Sequence, residues 1–483
     1  MVALTKILKG IDYTLVSGTL DKSVRTIAFD SRQLTEDSIF VAIKGTQQDG
    51  HDFIEQALSR GAEVIIAERE IIVNKNVTFL KVKDSAETLG VLASNFYDNP
   101  SRKIKLIGVT GTNGKTTTVS LLHALYSNLS YKAGLLSTIG NRILDANFAA
   151  THTTPDALSI NSLLDQMLKK GCTHCFMEVS SHAITQKRIH GLRFSGAVFT
   201  NITHDHLDYH SSFREYLDAK KVFFDLLDND AFAVMNADDK HSGYMVQNSK
   251  ACIRTYALKT VSDFKGKILE NSFAGLKLLI DGNEFHTEKV GAFNAYNLMS
   301  VYTVAVMDGL SKDDVLKAMS VPASVEGRFD LIRKSENYLA IVDYAHTPDA
   351  LKNVISTINE IKKTGMSLIT VFGCGGNRDK TKRPEMGKIA ANLSDQVIVT
   401  SDNPRFEDVL QIIGDIEKGI EEGKKANILV IPDREMAIKT ACTLAKAGDV
   451  VLVAGKGHEK YQEINGARYP FDDKEIVLKY IKE

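Results

Sequence analysis

The string GTNGKTT, Gly111 to Thr117, constrains this chain more than any other stretch of similar length. It follows the apolar run Ile104–Val109, which reads as a strand, and it precedes Thr116–Tyr126, where apolar residues recur at helical spacing. A glycine-rich turn between a strand and a helix aims backbone N–H groups and a helix N-terminus at phosphate oxygens. Lys115 then reaches the outer phosphates as a point charge, and the Thr116 hydroxyl is the natural Mg²⁺ ligand. Gly111, Thr112, Asn113, Gly114 and Thr117 complete the expected ATP cradle. The match to G-x-x-x-x-G-K-[ST] is imperfect, because Val109 stands where the first glycine belongs. A glycine turn with a solvated lysine is the plain alternative; strand, loop, lysine, paired hydroxyls and helix in that order favour nucleotide.

The pattern around the loop is strand alternating with helix. Strands are expected at Thr173–Val179 and Gly196–Thr200, and helices at Ala157–Lys169 and Phe213–Leu227. Such alternation over roughly 200 residues implies a parallel sheet with helices on both faces. Before it, SIFVAIKG (Ser38–Gly45) reads as a strand, and His51–Glu68 as a helix, a stop at Gly61 and a buried strand. Turn chemistry in YDNPSR, Tyr97 to Arg102, marks a boundary. After GRFD, Gly327 to Asp330, four apolar strands follow in LAIVDYAH, MSLITVFGCGG, DQVIVTSDNPR and DVVLVAGKGHE, each ending in a polar or glycine-rich loop. Ligands of open α/β sheets bind beyond the carboxyl ends of the strands, where those loops lie. The expectation is an α/β protein of three domains: a small N-terminal one over 1–100, a central parallel-sheet ATP domain over 101–330, and a Rossmann-like C-terminal one over 331–483. A length of 483 residues suits about three domains.

Composition removes several function classes. With 59 Lys+Arg against 60 Asp+Glu, no broadly basic surface for nucleic acid is expected. No apolar run approaches the ~18 residues that span a bilayer, so membrane insertion is not expected. Met1–Gly10 lacks the long apolar stretch of a secretory signal. Five scattered cysteines make no disulfide framework. Cys172 and Cys175 form one C-x-x-C pair with no second to complete a zinc site, so buried thiols in a reducing, cytoplasmic setting are expected.

Two further strand ends carry metal-ligating types. MEVSSH offers Glu178, and NITHDHLDYH offers His206; beside a phosphate loop they suit Mg²⁺. The second string also nearly spells the ligand cluster of binuclear metallo-hydrolases through His204, His206, Asp208 and His210. Tyr209 stands at the last histidine of that pattern, and a phosphate loop is foreign to such enzymes. Lys220, in EYLDAKK, reads on its own as a solvated helix lysine.

Taken together, GTNGKTT after an apolar strand resembles the nucleotide loop of the Mur ligase family, the ATP-dependent amino-acid-adding enzymes of peptidoglycan synthesis, and the other motifs follow in family order along essentially the whole chain. The resemblance implies that Thr116, Glu178 and His206 hold Mg²⁺ together with Lys220 as a carbamate. The physics is reasonable, since an ammonium would repel the metal whereas a carbamylated amine offers it oxygen. It implies that Ser31, in FDSRQL, contacts the uridine end of a UDP-sugar-peptide, and that Thr153, Thr154, Ser180, Gln186 and Arg188 face the rest of that substrate. Read without the family, Thr153 and Thr154 before Pro155–Asp156 are a helix cap. Arg328, Asp343 and His346 are implied to border ATP, with a turn cap for Asp343 and a satisfied strand-end histidine for His346 as the plain alternatives.

DNPR, Asp402 to Arg405, resembles the recognition string of the family members that add meso-diaminopimelate; lysine-adding relatives lack the arginine. The far end of diaminopimelate carries a carboxylate that can take a forked pair of hydrogen bonds from a guanidinium, and lysine has none. The same resemblance adds Arg378, Asn403, Pro404, Gly455 and Glu459 to that pocket, with Glu459 pairing the distal ammonium. The implied reaction joins meso-diaminopimelate to UDP-N-acetylmuramoyl-L-alanyl-D-glutamate through an acyl phosphate, in a monomer whose partners are small molecules. A sister ligase adding L-lysine and a nucleotide-binding module without chemistry are the competing expectations.

Overall fold

The computed structural model describes residues 1–45, 48–70, 77–203, 209–334 and 338–481. Among them the strand Lys105–Thr110 occupies the middle of an 11-stranded sheet, between His174–Glu178 and Gly196–Phe199, with both pairings parallel. Ala133–Ser137 on one side and Phe232–Asn236 with Cys252–Ala257 on the other extend the parallel run. A strand covered on both faces reads as a near-continuous apolar run, and KLIGVT is one. Ile107 and Val109 pack under the helices Lys115–Asn128 and Ala292–Met307. Leu106 faces the other layer, built from Ala157–Lys169 and Phe213–Asp225.

The central sheet is mixed rather than wholly parallel. At one edge Phe264–Ser272, Gly275–Ile280 and Asn283–Thr287 form an antiparallel meander, and at the other Gly140–Ile143 and Ala146–Phe148 form a hairpin. The signal was in the sequence: Asp281 and Gly282, both at positive φ, make the two-residue turn that suits the twist of a hairpin.

The four apolar strands after GRFD fall at Leu339–Asp343, Leu368–Phe372, Gln396–Val399 and Val450–Ala454. They form the parallel centre of a six-stranded sheet in which Val450–Ala454 lies between Leu339–Asp343 and Leu368–Phe372. The N-terminal residues build a five-stranded sheet that includes Ser38–Val41 and Ala62–Ala67. Its helix Ser85–Phe96 presses on the central domain: a Cβ at Gly90 would stand 2.3 Å from the His190 carbonyl oxygen. Ala157 and Leu158 pack into the N-terminal core, and Lys187 pairs with Glu87 at 2.8 Å. Cys172 and Cys175 are buried free thiols, and burial pushes the Cys175 thiol far above its ordinary range. Among the described residues no helix is long and apolar enough to cross a membrane.

At the amino ends of the central strands, away from the phosphate loop, Asp308 accepts from His174 Nε2 at 2.9 Å, Tyr126 Oη at 2.7 Å and Lys105 Nζ at 2.7 Å. Burial alone would raise its pKa, but these donors outweigh it and hold the carboxyl below the usual range. A carboxyl lowered in the folded state stabilises above its unfolded pKa, and that contribution is lost as pH falls through the folded value. Asp308→Ala should cost about 3 kcal/mol at neutral pH by stranding buried donors. Its urea midpoint should also fall less steeply with pH below about pH 4 than the parent's. An unchanged midpoint would remove the cluster from the core's stability.

Candidate active site

The helix Lys115–Asn128 starts where the central strand ends, and Gly111–Gly114 is the turn between them. Gly111 sits at φ +152, and a Cβ there would lie 1.9 Å from Thr200 Oγ1. Gly114, at φ +90, is the residue preceding the helix, and a Cβ would meet Asn297 Oδ1 at 2.5 Å. Val109 lies inside the strand, so Gly111 is the first residue free to turn; this explains the missing first glycine of the motif. The next strand end braces the loop. Thr112 N donates to Asn201 O at 2.8 Å, Asn113 N to Asn201 Oδ1 at 3.0 Å, and Thr200 Oγ1 to Asn113 O at 2.6 Å. Lys115 Nζ lies over the loop, 2.8 Å from the carbonyl oxygens of Gly111 and Thr112.

Glu178 is in register with Val109 on the adjacent strand and is almost wholly buried. Its Oε1 accepts from Thr138 N at 2.8 Å, while Oε2 has no hydrogen-bond partner among the described residues. An unpaired buried carboxylate oxygen is costly, and a hard cation would satisfy it. Thr116 Oγ1 accepts from Arg328 Nη2 at 3.1 Å. The described residues contain no group of three His, Cys, Asp or Glu side chains able to hold a metal ion. His206, with His204 and Asp208, lies outside the described residues. His210 is buried, its ring against Tyr216 with centroids 5.3 Å apart.

Lys220 corrects the reading of a solvated helix lysine. It is 1% exposed, with Nζ 3.0 Å from the Gly111 carbonyl oxygen and 4.5 Å from the centre of the Tyr216 ring. Its neighbour Lys221 pairs with Asp225 at 2.7 Å, so of the two it is Lys220 that reaches the loop.

The residues expected to face the sugar-peptide mostly come together. Thr154 Oγ1 donates to Glu178 O at 2.8 Å and accepts from Ser180 N at 3.0 Å. Arg188 donates to Thr154 O at 2.7 Å and, through Nε and Nη2, to Gln186 Oε1 at 3.0 and 2.6 Å. Burial lowers the Arg188 pKa from its ordinary value. Gln186 Nε2 reaches Tyr209 Oη at 3.2 Å, and Thr138 Oγ1 donates to Thr153 Oγ1 at 3.1 Å. The helix cap here is Asp156, which accepts from Ser159 N, and neither threonine caps it. Ser180 does cap a helix, the short Ser181–Thr185. Ser31 stands apart in the N-terminal domain, donating to Gln56 Oε1 at 2.6 Å.

Arg328 crosses from the C-terminal side to Thr116, with its guanidinium 4.5 Å from the Tyr344 ring centre. Asp343 accepts from Phe329 N at 2.6 Å and Ala345 N at 2.7 Å, so its carboxylate braces the turn that presents Arg328. Burial raises the Asp343 pKa. His346 Nδ1 lies 2.8 Å from Tyr344 O. Sequence reasoning missed Asp349. From the first turn of Pro348–Ile361 it accepts from Asn113 Nδ2 at 2.9 Å and Thr203 Oγ1 at 3.0 Å, tying the C-terminal domain to the phosphate loop. An acid there reads in sequence only as a helix-start residue.

Beyond the C-terminal strands the DNPR and AGKGHE loops meet. Asn403 Nδ2 donates to Glu459 Oε2 at 2.7 Å, and Asn403 Oδ1 accepts from Lys456 Nζ at 3.0 Å and Glu463 N at 2.9 Å. Burial, then the nearby Asp402 charge, raises the Glu459 pKa against the pull of Lys456. A Cβ on Gly455 would come 2.6 Å from Asp402 Oδ2. Arg405 follows Pro404 at positive φ, with Nη1 donating to Gly376 O at 2.8 Å and Nε 3.7 Å from Glu463 Oε2. Arg378 is exposed beside the same glycine loop. Lys456, fully buried, was not singled out from the sequence, because nothing in AGKGHE marks its lysine as an internal cation.

Family models match in the order of these domains. The Mur ligase family catalytic domain covers 23–97, the Mur ligase middle domain 109–305, and the Mur ligase glutamate ligase domain 327–457. The chain belongs to the Mur ligase family. It is an ATP-dependent, amide-bond-forming ligase, a reading with which the phosphate loop agrees. A Mur-type relative in Cytophaga hutchinsonii, named UDP-N-acetylmuramoyl-L-alanyl-D-glutamate–2,6-diaminopimelate ligase, is 54% identical over 464 residues, 96% of this chain and 95% of that one. The protein of that name in Bacteroides fragilis is 49% identical over 98% of both chains. A solved structure of a ligase of that name superposes with a TM-score of 0.70 at 34% identity, covering 99% of this chain and 98% of the other. A Thermotoga maritima MurF ligase solved with ADP shares the Mur fold at 22% identity and a TM-score of 0.62, covering 95% of this chain and 97% of that one.

Proposed function

We propose that this Mur ligase joins meso-diaminopimelate to UDP-N-acetylmuramoyl-L-alanyl-D-glutamate, with ATP converted to ADP and phosphate. The observation that carries the reading is the near end-to-end match, at 48–54% identity, to five proteins named for that reaction. The three segments 1–100, 101–330 and 331–483 then serve as uridine-nucleotide, ATP and amino-acid domains of a monomer in the cytoplasm. Ser31 holds the uridine end, and Thr153, Thr154, Ser180, Gln186 and Arg188 hold the peptide end. Arg378, Asp402, Asn403, Pro404, Arg405, Gly455 and Glu459 take diaminopimelate.

A carboxylate is a poor electrophile. Its oxygen attacks the γ-phosphorus, the bond to ADP breaks, and an acyl phosphate results. The amine nitrogen then attacks the carbonyl carbon, phosphate leaves and the ammonium proton is lost. The loop N–H groups and Lys115 orient the triphosphate and offset its charge. Arg328, held by the Asp343 turn of the C-terminal domain, adds a second cation beside the loop. Thr116, Glu178, Lys220 as a carbamate and His206 would hold Mg²⁺, which supplies charge compensation on phosphoryl oxygens. Glu178 Oε2, buried without a hydrogen-bond partner among the described residues, and the position of Lys220 against the loop support that assignment.

ADP release measured over a panel of amino acids, with the UDP-dipeptide present, tests the reading. Diaminopimelate should be the preferred amine. A preference for L-lysine would make this a sister ligase, and no amine-dependent release at all would leave only a nucleotide-binding module. Lys220→Ala should lose most activity, and small added carboxylates should restore part of it. An intact mass showing an unmodified amine in fully active enzyme would overturn the carbamate.

A further inference from the structure

The loops carrying Asp402–Arg405 and Gly455–Glu459 leave strands that are not neighbours. Gln396–Val399 and Val450–Ala454 are separated in the sheet by Leu368–Phe372, so no ladder hydrogen bond sets one loop end against the other. Asn403 ties the loops to each other through Glu459 and Lys456, and Arg434 ties the two strand ends beneath them. Its Nη1 donates to Ser401 O at 3.2 Å and its Nη2 to Ala454 O at 3.0 Å. Those are the residues immediately before Asp402 and Gly455. Nε and Nη2 also donate to the two oxygens of Asp473, at 2.8 and 2.7 Å, in a forked pair whose members are both 0% exposed.

Neither helix stability nor the hydrophobic core accounts for this arrangement. Arg434 opens the helix Arg434–Leu444, where a cation opposes the helix dipole. A buried ion pair is often no more stabilising than apolar side chains of the same volume, so what it adds is geometry. The rigid planar fork of arginine holds both carbonyls and the carboxylate at once, which a lysine cannot do. After Asp473, the charges of Asp402 and Glu459, the acids of the two loops it joins, also favour the cation.

We propose that Arg434, oriented by Asp473, is a positioning residue for the amino-acid substrate. It fixes the distance between the DNPR loop and the AGKGHE loop, so that both ends of a diamino diacid are gripped together. The inference rests on the reading of those loops as the diaminopimelate site. Arg434 itself touches no substrate.

Steady-state ADP release by the full chain decides it, using Arg434→Lys, Asp473→Asn and the apolar double variant Arg434→Met with Asp473→Leu, each with a measured Tm. In folded variants the KM for diaminopimelate should rise roughly 10–100-fold, because small displacements of a gripping group are costly. The KM values for ATP and the UDP-dipeptide should stay within about twofold. An unchanged KM for diaminopimelate in any folded variant overturns the proposal. So does a parallel decline of all kinetic constants with Tm, or loss of the folded state in all three, since either assigns the pair to stability alone. If the parent enzyme prefers another amino acid, the substrate reading fails on that result. Arg434 is then judged by the same shift in the KM of the amino acid the parent accepts.

Discussion

Lys115→Ala should lower ADP release by about 10³-fold or more, the scale lost when a preorganised charge at a phosphoryl-transfer site is removed. The loop leaves little to replace it. Gly111 and Gly114 hold its backbone where no other residue fits, and Thr200 and Asn201 brace it from the adjacent strand end. Lys115 is the first residue of the helix, and its amine lies over the loop carbonyls. The variant should keep its fold, because what is lost is a side-chain contact at the loop and not a core residue. Its circular dichroism and Tm should match the parent while turnover vanishes. Turnover within tenfold of the parent would overturn the loop assignment.

Arg405→Ala should change which amine is accepted more than how fast ATP is spent. Removing one member of a fully buried, hydrogen-bonded charge pair typically costs 2–5 kcal/mol; Arg405 is partly exposed, so the lower part of that range applies and kcat/KM for diaminopimelate should fall by about 30–300-fold. The value for L-lysine should hold, since lysine presents no distal carboxylate for the guanidinium to grip. Arg405 is anchored for this work: its positive φ turns the side chain back over the glycine loop, where Gly376 O takes Nη1. Competition between the two amines, followed by product mass, gives the ratio directly. An unchanged ratio would rule out the pairing.

Much of this was legible in the sequence, and the reasons differ by element. The phosphate loop was legible because its chemistry demands glycine, lysine and hydroxyl at fixed spacing between a strand and a helix. The four C-terminal strands were legible because strands buried on both faces are almost wholly apolar. The meander at 264–287 was not read, since its half-exposed strands alternate too weakly, although Asp281–Gly282 marked one turn. Lys220 read as a surface lysine without the family, because its burial depends on a partner, the Gly111 carbonyl, more than 100 residues away. Asp349 and Arg434 stayed hidden for the same reason: they join elements distant in the chain, and local pattern carries no trace of such a contact.

The close seating of Gly90 on the His190 carbonyl bears on how the first hundred residues behave alone. Their apolar interior is completed by Ala157 and Leu158, which the next segment supplies. Cut at residue 100, the fragment would expose a greasy seam where those side chains belong, and self-association would follow. The N-terminal segment of this enzyme is therefore no portable module. Transplanting it into another scaffold would require carrying the supporting helix along.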